Sequence, residues 1–321
     1  MGEKIELLPE DVYTFLGHEV CIRSNSQEVL EQLRFMYTRF YSGSHKIFSD
    51  PAEKFGEASR LTVQIIDNLA SSNELFIHDH YSLYRLSKTD KYYQFTCQDL
   101  QNPASKFVEI CDPLSLIQSA IIRTVSFLEK EYYHLFHAGV VSWDGGGIIL
   151  PASSCMGKTT LALKLVSQGF KFLSDEVACL DPVKGMLEPF PRKLNIRRGT
   201  PDLLGLSLEL ANINDSKKIH EWGWRLDIED IVPSSIATSC PIHYVLFLRG
   251  FGDKPSLECI SASDALFELF KFSASPMGDC ASILFEFAPL FDRIQCFNLV
   301  VGDLDETSDL ITRLVAERTP G

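Results

Sequence analysis

Residues 147–176, with the sequence GIILPASSCMGKTTLALKLVSQGFKFLSDE, decide the fold of this chain. The apolar run that ends at Leu150 predicts a strand, the residues from Lys158 onward predict a helix, and Gly169 is suited to end that helix. The small residues between strand and helix finish in Gly-Lys-Thr, the end of the phosphate-loop pattern G-x-x-x-x-G-K-[ST]. Ala152 stands where that pattern has its first glycine.

A phosphate loop needs a strand before it and a helix after it, because its backbone N–H groups and the helix N-terminus together hold the anion. Lys158 is placed to reach the β- and γ-phosphates, and the Thr159 hydroxyl is placed to ligate Mg²⁺. Ala152 is compatible with such a loop where its φ is negative. The alternative is an accidental Gly-Lys-Thr in front of a helix. The residues predicted to bind nucleotide here are Ser153, Ser154, Cys155, Met156, Gly157, Lys158, Thr159 and Thr160.

Two adjacent acids, Asp175 and Glu176, follow the next apolar run. A strand–helix–strand crossover brings consecutive strand ends to the same edge of a sheet, so we expect Asp175 to lie near the phosphate loop. Carboxylates at that place suit Mg²⁺ binding or removal of a proton from a hydroxyl. A solvated acidic turn is the alternative.

Strands and helices alternate along the chain, which predicts the α/β class. Asp-Gly-Gly-Gly at residues 144–147 predicts a hairpin turn between two β-rich runs, so we expect a mixed sheet. A change of pattern divides the chain into an N-terminal α/β subdomain, residues 1–112, and a domain of residues 113–321. Residues 184–235 are rich in proline, glycine and charge and predict a long surface loop. Ser263 is predicted to cap the helix that follows it.

The composition of the 321-residue chain narrows the function classes. A formal net charge of −13 argues against non-specific binding to nucleic acid, which needs a basic surface. No run approaches the length of a membrane span, and the N-terminus lacks the apolar core of a signal peptide. Nine scattered cysteines without C-x-x-C spacing suit reduced thiols. We therefore expect a cytoplasmic protein without membrane partners.

Residues 137–180, which contain HAGVV, GGGIILPASSCMGKTT and FKFLSDEV in this order, resemble the catalytic domain of bacterial HPr kinase/phosphorylase and its relatives. The resemblance continues more loosely to the C-terminus. It implies a P-loop kinase core of the HPr kinase/PEP carboxykinase type. Residues 1–112 are more similar to the leader region of HPr-kinase-related proteins found beside peptide-modifying genes, which implies recognition of a substrate or leader.

The resemblance implies a role for each matching residue. Lys158 would hold phosphates, Thr159 would help hold Mg²⁺, and Asp175 matches the general base that acts on a serine hydroxyl. Glu176 matches the second acid of the family's pair, a candidate metal ligand. His137 matches a histidine near the active site that could orient the acid or neutralise charge; a core histidine satisfied within a strand is the alternative.

Further candidates lie beyond the acids. Asn195 falls where HPr kinase has a metal-binding glutamate, and an amide oxygen can still serve Mg²⁺ or its water, although the loss of charge puts phosphorylase activity in doubt. Arg192 and Arg197 are candidates to clamp the transferred phosphoryl group, with a solvated basic turn as the alternative.

These residues together predict a kinase that uses Mg²⁺ and ATP to phosphorylate a hydroxyl, foremost a serine of a protein or a ribosomally made peptide. A free metabolite hydroxyl is an alternative acceptor. A nucleotide-binding regulatory protein without catalysis is an alternative function. A PEP-carboxykinase-like enzyme would need a Mn²⁺ site and an arginine cluster that the sequence does not supply. The resemblance also makes a homo-oligomer an expectation.

Overall fold

The computed structural model describes residues 8–45, 60–72, 74–78, 82–88, 93–99, 106–110, 113–129, 133–205, 219–220, 223–274 and 280–317. The chain divides into two compact units, Met1–Glu129 and Lys130–Gly321. The helix at Pro113–Glu129 therefore belongs to the first unit, whereas the sequence boundary near residue 112 placed it at the start of the second domain. Both units are α/β with mixed sheets.

The described residues of the first unit form one eight-stranded sheet and three helices. Its strands pair in the order β3-β1-β2-β4-β5-β6-β7-β8, and only the β2–β4 pair is parallel. Ser26 caps α1, as expected, by accepting a hydrogen bond from the Val29 amide. The elements are β1 (Glu10–Phe15), β2 (His18–Ser24), α1 (Gln27–Met36), β3 (Tyr41–His45), β4 (Arg60–Asn68), α2 (Leu69–Ser72), β5 (Glu74–His78), β6 (Ser82–Lys88), β7 (Tyr93–Asp99), β8 (Lys106–Ile110) and α3 (Pro113–Glu129).

The second unit contains the segment with the Gly-Lys-Thr motif. Its elements are β9 (His134–Trp143), β10 (Gly146–Pro151), α4 (Lys158–Ser167), β11 (Lys171–Ser174), β12 (Val177–Asp181), β13 (Met186–Glu188), β14 (Leu194–Arg197), α5 (Thr200–Leu204), β15 (Ile219–His220), β16 (Gly223–Leu226), α6 (Ile228–Ile231), β17 (Cys240–Phe251), β18 (Ser256–Cys259), α7 (Ala262–Phe270), α8 (Cys280–Phe291), β19 (Gln295–Val301) and α9 (Leu304–Ala316).

The main sheet of this unit pairs in the order β10-β9-β12-β13-β17-β19-β18. Strand β10 also pairs in parallel with β17, so β10, β9, β12, β13 and β17 form a closed ring of paired strands. Strand β9 lies between β10 on one side and β11 and β12 on the other. Because β10 and β11 both run antiparallel to β9, they run parallel to each other, and both end at the same edge.

The hairpin between β9 and β10 forms at the expected place. Asp144 and Gly145 both have positive φ, 46° and 77°, the conformation of the two-residue turn that matches strand twist. At Gly147 a Cβ atom would lie 2.5 Å from Leu187 Cδ1, so a larger residue there would force this side chain to shift. The turn delivers β10, buried at every position, to the motif that follows it.

Two hydrophobic clusters hold the sheet of the second unit. One contains Leu161, Leu165 and Ile311, which lie on α4 and α9. The other contains Leu269 and Phe287, which lie on α7 and α8. The helix after the motif is thus fixed by an apolar face, and its N-terminus is left at the end of β10.

Two sequence predictions are wrong here. Residues 184–235 do not form one long loop in their described part: β14, β16 and β15 make a separate three-stranded sheet. Strands of two to four residues are too short to show periodicity. Helix α7 is capped by Ser261, which accepts a hydrogen bond from the Asp264 amide at 3.1 Å, and not by Ser263. Among the described residues, no helix is long and apolar enough to cross a membrane.

Candidate functional site

The loop between β10 and α4 leaves several backbone N–H groups facing outward from the helix start. The first backbone hydrogen bond of α4 is donated by Leu161 to the Gly157 carbonyl oxygen, at 2.9 Å. The amides of residues 158–160 therefore precede the internal hydrogen bonding of the helix. Gly157 takes the left-handed conformation, with φ of 85°, and Cys155 does so with φ of 69°. A chain bent in this way turns its amides toward one concavity, as an anion site requires.

Ala152 does not strain the loop. Its φ lies outside the left-handed region, which among the described non-glycine residues is occupied by Leu16, Asp144, Cys155 and Ser234. The Ala152 methyl group is fully buried in the core beneath α4. Alanine in place of the first glycine is therefore compatible with this backbone. The loop residues that have positive φ are Cys155 and Gly157.

Lys158 is folded into the loop that precedes it. Its ammonium group donates to the Ala152 carbonyl oxygen at 2.8 Å and to His137 Nε2 at 2.9 Å. Only 8% of the residue is exposed, and this burial lowers the pKa of the ammonium group, against the raising effect of Glu176 and Asp175. An ammonium group has three N–H donors, so one remains for a phosphate oxygen.

The two contacts of His137 define its tautomer. A lysine ammonium group can only donate, so His137 Nε2 must accept, and its proton resides on Nδ1. Nδ1 lies 3.1 Å from Glu176 Oε1, where that proton is donated. Strand pairing sets this geometry, because β9 places His137 opposite Val177, the residue after Glu176. Glu176, His137 and Lys158 thus form one hydrogen-bonded chain.

Asp175 and Glu176 are the two-residue corner that joins β11 to β12. The Ser174 side chain fixes this corner by accepting hydrogen bonds from the amides of Glu176 and Val177, at 3.3 and 3.0 Å. Both strands pair with β9, so the corner cannot move away from His137 without breaking the sheet. The two side chains enter different surroundings.

Glu176 is held as a charged group. Its Oε2 accepts from Arg192 Nη2 at 2.9 Å, and Arg192 itself is only 4% exposed. Burial opposes ionisation of Glu176, but the charge of Arg192 and the hydrogen bond from His137 outweigh it and hold the pKa of Glu176 below its usual range. Arg192, predicted as a phosphoryl clamp, is therefore engaged with this carboxylate.

Asp175 is the more basic of the two acids. It is 1% exposed; its Oδ2 accepts from the Thr159 hydroxyl at 3.4 Å, and its buried Oδ1 has no hydrogen-bond partner. Burial raises the pKa of Asp175 to about 6, and Glu176 adds to the rise although Arg192, 3.9 Å from Oδ1, works against it. A buried acceptor atom without a donor costs about 1–3 kcal/mol, so its retention points to a partner supplied by a ligand.

The oxygen atoms beside Asp175 fit Mg²⁺. The Thr159 hydroxyl and the Asp175 carboxylate are hard oxygen donors, and Mg²⁺ commonly takes only one or two protein oxygens beside the phosphates of its substrate. No cluster of three or more His, Cys, Asp or Glu side chains suited to a metal ion occurs among the described residues. Of the three predicted metal ligands, Thr159 lies in this position. Glu176 is occupied by Arg192 and His137.

The other predicted residues lie around the loop with different surroundings. Ser153 and Ser154 are exposed at its tip. The Thr160 hydroxyl points away to the Thr200 hydroxyl, at 3.0 Å, which leaves only its amide for a ligand. Arg197 reaches the loop through a contact of Nη1 with Cys155 Sγ at 3.0 Å.

Two further observations concern residues at the margin of the site. Asn195 lies on β14 opposite Arg225, and no hydrogen bond joins its side chain to the described acids. The Cys155 thiol is exposed, and hydrogen bonds from Ser154 and Arg197 lower its pKa. The structure thus gathers His137, Lys158, Thr159, Asp175 and Glu176 and leaves Asn195 outside their contacts.

Sequence reasoning missed one residue beside the loop. Phe251, at the end of β17, lies against Gly157: a Cβ atom on that glycine would be 3.6 Å from Phe251 Cζ. The residue is 66% exposed. Nothing in the sequence could have indicated this, because the contact joins residues that are distant along the chain and depends on the parallel β10–β17 pairing.

Comparisons with known proteins give one distant likeness. No protein-family model matches the sequence, and no curated protein matches it. Among solved structures, the HPr(Ser) kinase/phosphatase from Coxiella burnetii is similar in part, with 15% sequence identity over 57% of this chain and 98% of that chain. The TM-score of this superposition is 0.29, so the function has to be argued from the residues of the site.

Proposed function

We propose that residues 130–321 form a kinase domain of the P-loop type that transfers the γ-phosphoryl group of ATP to a hydroxyl. The observation that carries the proposal is the buried Asp175 carboxylate, which has one oxygen without a partner and the other at the Thr159 hydroxyl. It lies directly beside a strand–loop–helix unit that presents free amides and a lysine. A base and a phosphate-binding loop in contact are what phosphoryl transfer to a hydroxyl requires.

Each residue has a role that follows from its contacts. The loop amides and the remaining N–H donor of Lys158 hold the phosphate oxygens where charge develops. Asp175 Oδ1 takes the proton of the acceptor hydroxyl while the hydroxyl oxygen forms a bond with the γ-phosphorus. The bond from that phosphorus to the bridging oxygen breaks, and ADP leaves. Thr159 and Asp175 Oδ2 would hold Mg²⁺, which would neutralise part of the phosphate charge.

His137 and Glu176 serve the lysine rather than the acceptor. Their hydrogen-bonded chain fixes the Lys158 ammonium group at the loop, and Arg192 keeps Glu176 ionised. A fixed charge costs no reorganisation when the phosphoryl group moves, which is the main contribution of such sites to rate. These two residues are positioning residues in this proposal.

A serine hydroxyl of a protein or of a ribosomally made peptide is the acceptor that we propose, with the N-terminal unit as the part that recognises it. A primary hydroxyl is a small group that can reach a carboxylate at the base of a loop. The choice rests on the sequence resemblance of residues 137–180 and of the region before them.

One observation favours a second candidate, a protein that binds nucleotide without transferring phosphate. Asp175 is 1% exposed, so an acceptor hydroxyl reaches Oδ1 only when neighbouring side chains move apart. A binding protein would need the loop and Lys158 but no base. The two candidates therefore differ in what they require of Asp175.

The test separates binding from turnover. We would titrate Mg²⁺-ATP into the full chain by calorimetry and measure ADP formation, with water as the acceptor, for wild type, Lys158→Ala and Asp175→Asn. Asp305→Asn, a change in an exposed carboxylate bound to Lys164, is the control. A kinase loses binding in Lys158→Ala and loses turnover but not binding in Asp175→Asn. Binding of Mg²⁺-ATP by wild type without ADP formation would favour the nucleotide-binding candidate, and turnover that persists in Asp175→Asn would show that Asp175 is not the base.

A further inference from the structure

An exposed aromatic ring lies at the edge of the phosphate loop and has no role in the site described so far. Phe251 ends β17 with 66% of its surface exposed. Its Cζ and Cε1 atoms would lie 3.6 and 3.7 Å from a Cβ atom on Gly157, the glycine before Lys158. A ligand that covered this ring would remove apolar surface from water, which is favourable.

The backbone under this ring is fixed on both sides. Phe251 pairs with Val301 of β19, and the next amide, Gly252, donates to the Val301 carbonyl oxygen at 2.9 Å. The strand bulges between Leu248 and Gly250, and Gly250 has a φ of 134°. Bulges of this kind turn a side chain toward a new direction and are common beside active sites.

Arg249 holds the bulge in place. Its Nε donates to Asn298 Oδ1 at 2.6 Å and its Nη1 donates to Glu268 Oε2 at 2.9 Å. The guanidinium group also lies 5.2 Å from the centre of the Phe247 ring. The ring of Phe251 is therefore presented by a rigid support, although it is itself exposed.

Met156 adds a second apolar group to this edge. Its Cε would lie 3.8 Å from a Cβ atom on Gly250, so the Met156 side chain extends from the loop toward the end of β17. The two residues flank Gly157 from the loop side and from the strand side. Both are apolar and polarisable, and neither offers a hydrogen-bond donor.

We infer that Phe251 and Met156 form the site for the base of a purine nucleoside triphosphate whose phosphates lie in the loop of residues 153–160. The inference rests on the proposed function. The base is joined to the phosphates through one ribose, so it must lie beside the loop. Phe251 is the exposed aromatic ring that the structure brings against that loop among the described residues. A flat aromatic base stacks on such a ring without regard to its hydrogen-bonding groups.

This composition also defines the specificity. A phenyl ring and a thioether cannot read the exocyclic groups that distinguish adenine from guanine. The site accordingly accepts ATP and GTP with similar affinity, and most of its preference is for a nucleotide over an inorganic polyphosphate. Loss of stacking on one ring weakens nucleotide binding by about tenfold to a hundredfold.

The experiment compares a ligand that has a base with one that lacks it. Calorimetric titrations of the full chain with Mg²⁺-ATP, Mg²⁺-GTP and Mg²⁺-tripolyphosphate would be made for wild type, Phe251→Ala and Phe251→Trp. Phe285→Ala is the matched control, because Phe285 is 80% exposed on α8. We expect Phe251→Ala to lose at least about tenfold in affinity for both nucleotides and none for tripolyphosphate. Phe251→Trp, which keeps an aromatic ring, should retain the nucleotide binding that Phe251→Ala loses.

The other outcomes are distinguishable. If Phe251→Ala binds ATP like wild type, or loses ATP and tripolyphosphate to the same extent, the ring does not hold the base and the inference is overturned while the phosphate loop stands. If wild type binds neither ATP nor tripolyphosphate, the proposed function fails and the inference fails with it. Equal effects of Phe251→Ala and Phe285→Ala would likewise overturn the inference.

Discussion

Lys158 Nζ lies 2.9 Å from His137 Nε2, and this contact joins the start of α4 to strand β9. The histidine ring is held in turn by Glu176, so it works as a neutral acceptor for the ammonium group. Truncation in His137→Ala removes an acceptor from a buried charge, and hydrogen bonds to charged groups contribute about 1.5–3 kcal/mol. We expect the affinity for Mg²⁺-ATP to fall about tenfold or more in a calorimetric titration.

The control for this variant is His18→Ala, a change in a histidine of the first unit. It should leave nucleotide binding unchanged. Equal affinity of His137→Ala and wild type for Mg²⁺-ATP would mean that the Ala152 carbonyl oxygen alone holds the lysine, and the positioning role of His137 would be lost.

Thr159→Val tests the Mg²⁺ position. The variant keeps the shape of the side chain and removes the hydroxyl that donates to Asp175 Oδ2. The gain in ATP affinity on adding Mg²⁺ should be smaller in this variant than in wild type, because a hard oxygen ligand is lost while Asp175 remains. Calorimetric titrations with and without Mg²⁺ measure the difference. Thr200→Val, which removes a hydroxyl bonded to Thr160, should retain the dependence on Mg²⁺.

Restoring the first glycine of the motif with Ala152→Gly should improve neither stability nor ATP binding. The Ala152 backbone does not need a positive φ, and its methyl group is fully buried in the core. Loss of one buried methyl group and greater freedom of the unfolded chain should lower the free energy of unfolding by about 1 kcal/mol. Urea unfolding followed by tryptophan fluorescence reports on this unit, because Trp143, Trp222 and Trp224 all belong to it. Tighter ATP binding in this variant would contradict our account of the loop.

His134 makes the stability of the second unit depend on pH. Burial against aromatic rings lowers the pKa of His134 from 6.5 to about 4. At His134 the unfolded chain therefore binds a proton more readily than the folded one, so the contribution of His134 to stability is complete above pH 6.5 and is lost as the pH falls toward 4. The loss that His134 alone contributes should reach about 2 kcal/mol at pH 5.

The measurement is the same fluorescence-monitored urea unfolding at a series of pH values. His134→Phe removes this titrating group, so at pH 5 the variant should lose about 2 kcal/mol less stability, relative to its value above pH 6.5, than wild type does. Ser273→Ala removes the hydroxyl 2.8 Å from His134 Nε2 but keeps the ring, so it should retain the slope. A slope in His134→Phe equal to that of wild type would assign the dependence to other groups.

The sequence predicted the elements around the motif because their signals are local. An apolar run, a small-residue loop and a glycine that ends a helix mark β10, α4 and Gly169, and Gly169 has the positive φ, 103°, of a helix-ending glycine. The proximity of Asp175 to Thr159 followed from the rule that parallel strands end at one edge.

The rest depends on long-range packing that leaves no local pattern. The partner of Glu176 is Arg192, and no spacing rule connects a corner between strands with a residue before β14. Very short strands such as β15 and β16 carry no periodicity, and so the sequence of residues 184–235 predicts a loop. The contact of Phe251 with Gly157 requires the whole sheet to be assembled.

The parallel pairing of β10 with β17 has a consequence for the order of synthesis. The motif leaves the ribosome long before residues 240–251, which must pair with β10 before the second unit has its sheet. Until then the nascent chain carries an apolar strand with one unpaired edge, a feature that invites association with other chains. A chain that ends prematurely before residue 240 should accordingly be captured by chaperones or degraded, although it contains the complete motif.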